Sequence, residues 1–169
     1  MKVLIRKALP EDAADYADCV ISCWQSAYKG IVPEGYLSDM SANRGQWVEK
    51  YGKALADPGD CGYYCAIYAD EMIGFLIING NHKDNFWAIY LIEGFRGKGF
   101  GAVMLNFAIN ELARAGDRQI CLWVFKENKK AIRFYEKHGF VFDGTDRVVD
   151  WYGGVPLVEL RYALNLVIS

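Results

Sequence analysis

The stretch Ile89-Tyr90-Leu91-Ile92-Glu93-Gly94-Phe95-Arg96-Gly97-Lys98-Gly99-Phe100-Gly101-Ala102-Val103-Met104-Leu105 decides how the rest of the chain is read. Phe86 to Ile92 is an apolar run bounded by turn residues, the pattern of a strand. Gly94, Gly97, Gly99 and Gly101 then fall within eight residues. A helical pattern follows at once, with Met104, Phe107, Ala108 and Leu112 on one face. The order is strand, glycine-rich turn, helix N-terminus. Glycine tolerates φ > 0 and lets a ligand come close to backbone N–H groups. A helix start adds unpaired donors and the positive end of a dipole. Arg96 and Lys98 add full charges. Together these features predict a phosphate or pyrophosphate cradle.

Two common phosphate loops do not fit. In a Walker A alignment Gly99 stands where Ser or Thr belongs, and Ile92 where the first glycine belongs. In a dinucleotide fingerprint Ala102 or Met104 replaces the third glycine. What fits is Arg-x-x-Gly-x-Gly, from Arg96 to Gly101. With its preceding strand this resembles the acetyl-CoA-binding motif of the GNAT superfamily of N-acetyltransferases. A second stretch, Asn128-Lys-Lys-Ala-Ile-Arg-Phe-Tyr-Glu-Lys-His-Gly-Phe140, is similar to the GNAT segment after the next strand. It has the Asn, the Phe-Tyr pair and the closing Gly-Phe. The two motifs lie in the family's order and at about its spacing, and the resemblance spans about Met72 to Val141.

Composition bounds the rest. The 169 residues read as one domain, 1–169, and are 53% hydrophobic, enough for a sizeable core. The 19 basic and 21 acidic residues leave a net charge of −2, which argues against a nucleic-acid partner. No apolar run has membrane-spanning length, and Lys2 and Arg6 come too early for a signal peptide, so a cytoplasmic location is expected. Cys61 and Cys65 on one strand would sit about 13 Å apart, too far for one metal or a disulfide. Cys19 and Cys23 are one helical turn apart, but His82 and His138 are the only histidines, and no metal site is expected.

Along the chain, Val3 to Ala8 reads as a strand. A helix from Pro10 to about Tyr28 carries Ala13, Ala17, Val20 and Trp24 on one stripe. Further helical stretches cover roughly Glu34 to Met40 and Arg44 to Ala56. Strands from Gly62 to Ala69 and Met72 to Ile78 flank an Asp70-Glu71 reversal. Gln119 to Phe125 is a strand covered on both faces. The helix from Asn128 ends in Gly139-Phe140, the composition of a Schellman cap. Strands at Phe140 to Arg147 and Leu157 to Leu164 are joined across Asp150 to Pro156. The order β-α-α-β-β-β-α-β-α-β-β is a mixed α/β arrangement with helices on both faces. Read with the resemblance, it implies the GNAT fold: a mixed seven-stranded sheet splayed between strands 4 and 5, with the cofactor in the opening.

The resemblance also implies roles. Leu91 and Ile92 would offer backbone groups to the pantetheine arm of acetyl-CoA, like an added strand. Arg96, Gly97, Lys98, Gly99, Phe100, Gly101 and Ala102 would hold the pyrophosphate, Arg96 mainly by orienting the loop. Asn128, with Ala131, would bind the cofactor arm. Tyr135 is two turns from Asn128 on nearly the same helix face. It is the expected catalytic acid, because a phenol keeps its proton at neutral pH yet can give it to a departing thiolate. Family members often carry Pro at the Glu93 position; Glu93 is either a surface acid or faces the acceptor. Some use a strand Glu as base, but the matching residue here is Asn85, and among Asp84, His82 and Glu93 no base is chosen. Lys129, Lys130, Arg133 and Lys137 are read as a largely solvated face, and Cys121 as an inert thiol. Trp24 and Tyr28 form an aromatic wall for the acceptor, which Tyr36, Asp146, Asp150, Trp151 and Tyr152 could join. The expected activity is acetyl transfer to a primary amine of a small molecule by direct attack in a ternary complex. The alternatives are a non-catalytic acyl-CoA sensor and a protein or peptide N-acetyltransferase. Homodimerisation is common in the family.

Overall fold

A computed structural model describes residues 2–79, 86–151 and 154–166. It begins with β1 (Leu4–Lys7), a 3₁₀ turn (Pro10–Asp12) and three helices, α1 (Ala13–Ala27), α2 (Glu34–Ala42) and α3 (Arg44–Ala56). The antiparallel strands β2 (Cys61–Tyr68), β3 (Glu71–Asn79) and β4 (Phe86–Leu91) follow. After a second 3₁₀ turn (Glu93–Phe95) come α4 (Phe100–Arg114), β5 (Gln119–Phe125), α5 (Lys129–Lys137), β6 (Val141–Trp151) and β7 (Val155–Asn165). Three helices precede β2, at the three helical stretches the sequence predicts and one more than the order β-α-α-β-β-β-α-β-α-β-β counts; Asn43 ends α2 and starts α3.

The strands form two sheets, ordered β1-β2-β3-β4 and β5-β7-β6. β4 and β5 adjoin but belong to different sheets, so the expected splay is present and divides the sheet into two. Each ladder is antiparallel. The β2–β3 reversal lies one residue earlier than expected, at Ala69-Asp70. Both have positive φ, 51° and 64°, the requirement of a two-residue hairpin turn whose twist matches the strands. β6 and β7 run longer than expected, pairing as far as Trp151 and Val155.

Two apolar clusters lie on opposite faces. One packs α4 and α5 against Ile73, Leu76, Ile120, Leu122 and Val124; the other packs α1, α2 and α3 against Cys65, Phe75, Ile77 and Phe125. Strand alternation divides β4 between them: Ile89 and Leu91 face the first, Ala88, Tyr90 and Ile92 the second. Met104, Leu105 and Leu112 of α4 are almost fully buried, each contributing roughly 1.5–3 kcal/mol. Helix α5 ends as its composition predicts. The Phe140 N–H donates to the Tyr135 carbonyl at 3.1 Å and the Gly139 N–H to Glu136 at 3.1 Å. Gly139 has φ 88°, and the Phe140 ring closes on Tyr135 at 5.6 Å. At the other end of the chain, Asp12 takes a two-pronged bond from Arg6 at 2.6 and 2.8 Å and the Leu9 N–H at 2.7 Å, fixing the entry to α1.

Candidate active site

The opening between the sheets is lined first by the end of β4. The Ile92 N–H donates to the Ile73 carbonyl at 2.9 Å, and the Ile92 carbonyl accepts the Phe95 N–H at 3.0 Å. In an antiparallel ladder the neighbouring residue, Leu91 opposite Gly74, therefore turns its N–H and C=O away from β3, toward the opening. The expected pair divides: Leu91 turns its backbone to the opening, and the N–H of Ile92 is committed to the sheet.

The loop beyond is held from inside. Arg96 donates through Nε to the Leu91 carbonyl at 3.0 Å and through a terminal nitrogen to Ser26 Oγ on α1 at 2.6 Å. Its guanidinium orients the loop, while Lys98 is exposed with its ammonium 5.4 Å from the Phe95 ring centre. Gly97 and Gly99 have φ of 74° and 87°, a conformation that costs other residues roughly 1–2 kcal/mol. Gly99 caps α4 and has no side chain to satisfy the first turn. The N–H groups of Ala102 and Val103 return to the Gly99 carbonyl at 3.1 and 3.3 Å. Those of Phe100 and Gly101 have no backbone partner among the described residues, and they remain for an anion. A Cβ at Gly101 would lie 3.3 Å from the Phe134 ring, so glycine lets α4 meet α5 closely. A pyrophosphate fits this cradle, and an amide-bearing arm fits the outward edge of Leu91.

Helix α5 supplies the other wall. Asn128 is its N-cap, the side-chain carbonyl accepting the Ala131 N–H at 3.2 Å. These two expected cofactor ligands thus bond each other, leaving the Asn128 side-chain N–H₂ as the group for a ligand. Tyr135 is 8% exposed. Its hydroxyl makes no hydrogen bond among the described residues, and burial, then the nearby Tyr28 hydroxyl, pushes its pKa up. His138 packs at the helix end as expected, 4.5 Å from the Phe134 ring centre, with Nδ1 at 2.7 Å from the Phe134 carbonyl. Lys129, Lys130, Arg133 and Lys137 are exposed.

Across the opening, the hydroxyls of Tyr28, at the C-cap of α1, and Tyr90, on β4, bond each other. Burial pushes the Tyr28 hydroxyl up to about 12 and that of Tyr90 well above its usual value. Three phenols from α1, β4 and α5 therefore stay protonated in one place. Trp24 adds the expected aromatic wall, its ring 5.0 Å from Tyr28, 5.9 Å from Tyr36 and 6.4 Å from Tyr90. Tyr90 and Ser26 escape sequence reasoning. The available signal for Tyr90 is a phenol inside an otherwise apolar strand; Ser26 has none.

Other expected residues do not join. Glu93 is exposed in its 3₁₀ turn and touches none of these rings among the described residues. Asp146 and Asp150 are exposed on β6. His82, Asp84, Asn85 and Tyr152 lie outside the described residues. Cys121 is buried, its Sγ 3.4 Å from Gln119 Oε1. Cys19 and Cys23 are free thiols 4.0 Å apart. No group of three or more metal-binding side chains occurs among the described residues. No helix among them is long and apolar enough to cross a membrane.

Residues 22–140 match the model of a family described as the Acetyltransferase (GNAT) family. A spermine/spermidine N(1)-acetyltransferase of Bacillus subtilis is 30% identical over 133 residues, 71% of this chain and 86% of that protein. An uncharacterised N-acetyltransferase of Methanocaldococcus jannaschii is 28% identical over 144 residues, 80% of this chain. The chain spans 59% of the length of that second relative. The crystal structure of the PaiA N-acetyltransferase from Thermoplasma acidophilum, in complex with coenzyme A, shares the fold. Its TM-score is 0.74 at 21% identity, covering 98% of this chain and 100% of that one.

Proposed function

The chain belongs to the GNAT family of acetyltransferases, and from that premise we propose that it moves an acetyl group from acetyl-CoA to a primary amine of a small molecule. The observation that carries this reading is Tyr135, a residue 8% exposed whose hydroxyl makes no hydrogen bond among the described residues, where α5 meets the phenols of α1 and β4. Leu91 pairs with the amide arm of the donor as an added strand would. The Phe100 and Gly101 N–H groups hold the pyrophosphate at the α4 N-terminus, with Lys98 supplying charge. The Asn128 side-chain N–H₂ reaches the arm from α5. The acceptor nitrogen attacks the thioester carbon directly, and Tyr135 gives its proton to the departing sulfur. A phenol is protonated at neutral pH without any upward push, so its proton is there to give as charge develops on the sulfur.

The acceptor enters on the α1 side, against Trp24, Tyr28, Tyr36 and Tyr90. Their faces favour a cation, and their depth suits a small molecule over a folded protein surface. An aliphatic amine in this wall must become neutral before attack, at a cost of roughly 4 kcal/mol at neutral pH. The relative named a spermine/spermidine N(1)-acetyltransferase supports a basic aliphatic acceptor.

The test is release of free CoA from acetyl-CoA by purified protein, against polyamines, monoamines, amino acids, aminoglycosides and short peptides. Release stimulated by small amines is expected. Release by peptides alone would replace the acceptor class. Acetyl-CoA binding by calorimetry without any transfer would convert the reading to that of a non-catalytic sensor.

A further inference from the structure

One carboxylate borders the phenol cluster without being used by this reading. Glu159 stands on β7 opposite Phe125 of β5 and opposite Arg147 of β6. Cross-strand partners share a face, so Glu159 flanks the Phe125 ring. That ring packs edge-on against Tyr28 at 5.2 Å. The Glu159 charge reaches the Tyr28 hydroxyl, where it adds to the upward push of burial. The Glu159 side chain is 15% exposed, while that of Arg147 is 47% exposed. Arg147 donates through Nε to Glu159 Oε2 at 2.7 Å, and its guanidinium carbon lies 3.9 Å from the Trp123 ring centre. The other carboxylate oxygen, Oε1, has no hydrogen bond among the described residues.

This is a built cation site. A half-buried carboxylate and an indole face already hold a cation between them, and the present occupant is a half-exposed side chain on an edge strand. Its place in the site also separates two roles. The reacting nitrogen must be neutral at the thioester, and a carboxylate against it would hold it as an ammonium. Glu159 is set apart from the Tyr28 hydroxyl by one aromatic ring, standing opposite Phe125, which packs against Tyr28.

We propose that Glu159 binds the non-reacting ammonium of a diamine or polyamine acceptor, which displaces the Arg147 guanidinium from the carboxylate. The proposal rests on the acetyltransferase reading and names its substrate class. In the transfer, the new N–C bond forms as the C–S bond breaks, the sulfur gains a proton from Tyr135, and the proton the nitrogen loses goes to water, from which the Tyr135 phenolate takes one back. Glu159 gives and takes no proton; it fixes the distance between the two nitrogens of the acceptor. Arg147 keeps the carboxylate paired when no acceptor is bound, since a buried charge left alone is costly.

The experiment compares kcat/KM for 1,5-diaminopentane and pentylamine, probes of equal length that differ by one ammonium. Preference for the diamine is expected. Glu159→Gln should lower the diamine-to-monoamine ratio about tenfold, through KM, the size of one charge-assisted hydrogen bond. Arg147→Ala should lower the diamine KM by removing the competing cation. Calorimetric binding of acetyl-CoA checks that each variant is folded. A folded Glu159→Gln protein with the ratio unchanged overturns the proposal. Should that variant not fold, a diamine KM that stays or rises in Arg147→Ala overturns it instead. Monoamine turnover with no diamine preference sinks this proposal alone; no CoA release with any amine removes the acetyltransferase reading beneath it.

Discussion

The Tyr28–Tyr90 hydroxyl pair makes a prediction whose sign does not depend on catalysis. Tyr28 is 8% exposed, and the Tyr90 ring stacks on Phe75 at 5.0 Å and 15°. Phenylalanine at either position keeps the ring and removes one oxygen. Tyr28→Phe leaves the Tyr90 hydroxyl buried without its partner, and Tyr90→Phe does the reverse. Each loses a hydrogen bond worth about 1 kcal/mol net and strands a polar group, for a total cost of ~1–3 kcal/mol. The double variant strands nothing, so it should cost less than the two single variants together, by ~1 kcal/mol or more. For a chain of this size that coupling corresponds to roughly 2–4 °C in Tm. Urea denaturation of the four proteins at neutral pH, without ligand, reads it directly. Additive single and double costs, within about 0.3 kcal/mol, would mean the two hydroxyls do not depend on each other, and the buried phenol cluster would be wrongly drawn.

Tyr135→Phe should lower kcat on the order of 10²-fold while acetyl-CoA affinity holds; unchanged turnover removes Tyr135 from the mechanism. Gly99→Ala should raise the acetyl-CoA KM and cost ~1–2 kcal/mol of stability, because φ 87° at the α4 cap disfavours a Cβ; a variant that binds as the parent does would show the cradle elsewhere. Stability should be level through neutral pH and fall as pH rises past ~10, where unfolded tyrosines ionise. Burial holds Tyr28 at about 12 and pushes Tyr16, Tyr51, Tyr90 and Tyr135 upward too. The folded state therefore keeps protons that the unfolded state loses, at up to ~1.4 kcal/mol per pH unit for each such tyrosine. Urea midpoints that do not decline between mildly and strongly alkaline buffers would contradict this burial.

The sequence carries the backbone of the glycine loop and of the α5 cap plainly. Gly97, Gly99 and Gly139 occupy positive-φ positions that few other residues tolerate, so backbone chemistry writes itself into residue identity. Strand and helix periodicity place Gln119–Phe125 and Arg44–Ala56 at the observed bounds. The acceptor side is less legible because its members meet only through tertiary packing. Tyr90 sits in an apolar run, and only the facing Tyr28, 62 residues away, gives its hydroxyl a partner. Ser26 lies in a helix with no pattern that marks it, and its partner Arg96 is 70 residues on. The resemblance makes Asn128 an expected ligand, while its capping bond to Ala131 belongs to the local geometry of the helix start. Glu159 reads as an ordinary strand acid until β5 and β6 flank it.

The Arg96 guanidinium spans two elements of the site, β4 and α1. One nitrogen holds the Leu91 carbonyl at the end of β4, and another holds Ser26 on the helix that ends next to Tyr28. Under the proposed function, a shift of the glycine loop on donor binding would reach α1 through this fork. Thermodynamic linkage makes the effect mutual: whatever acetyl-CoA does to the affinity for amine, amine does to the affinity for acetyl-CoA by the same factor.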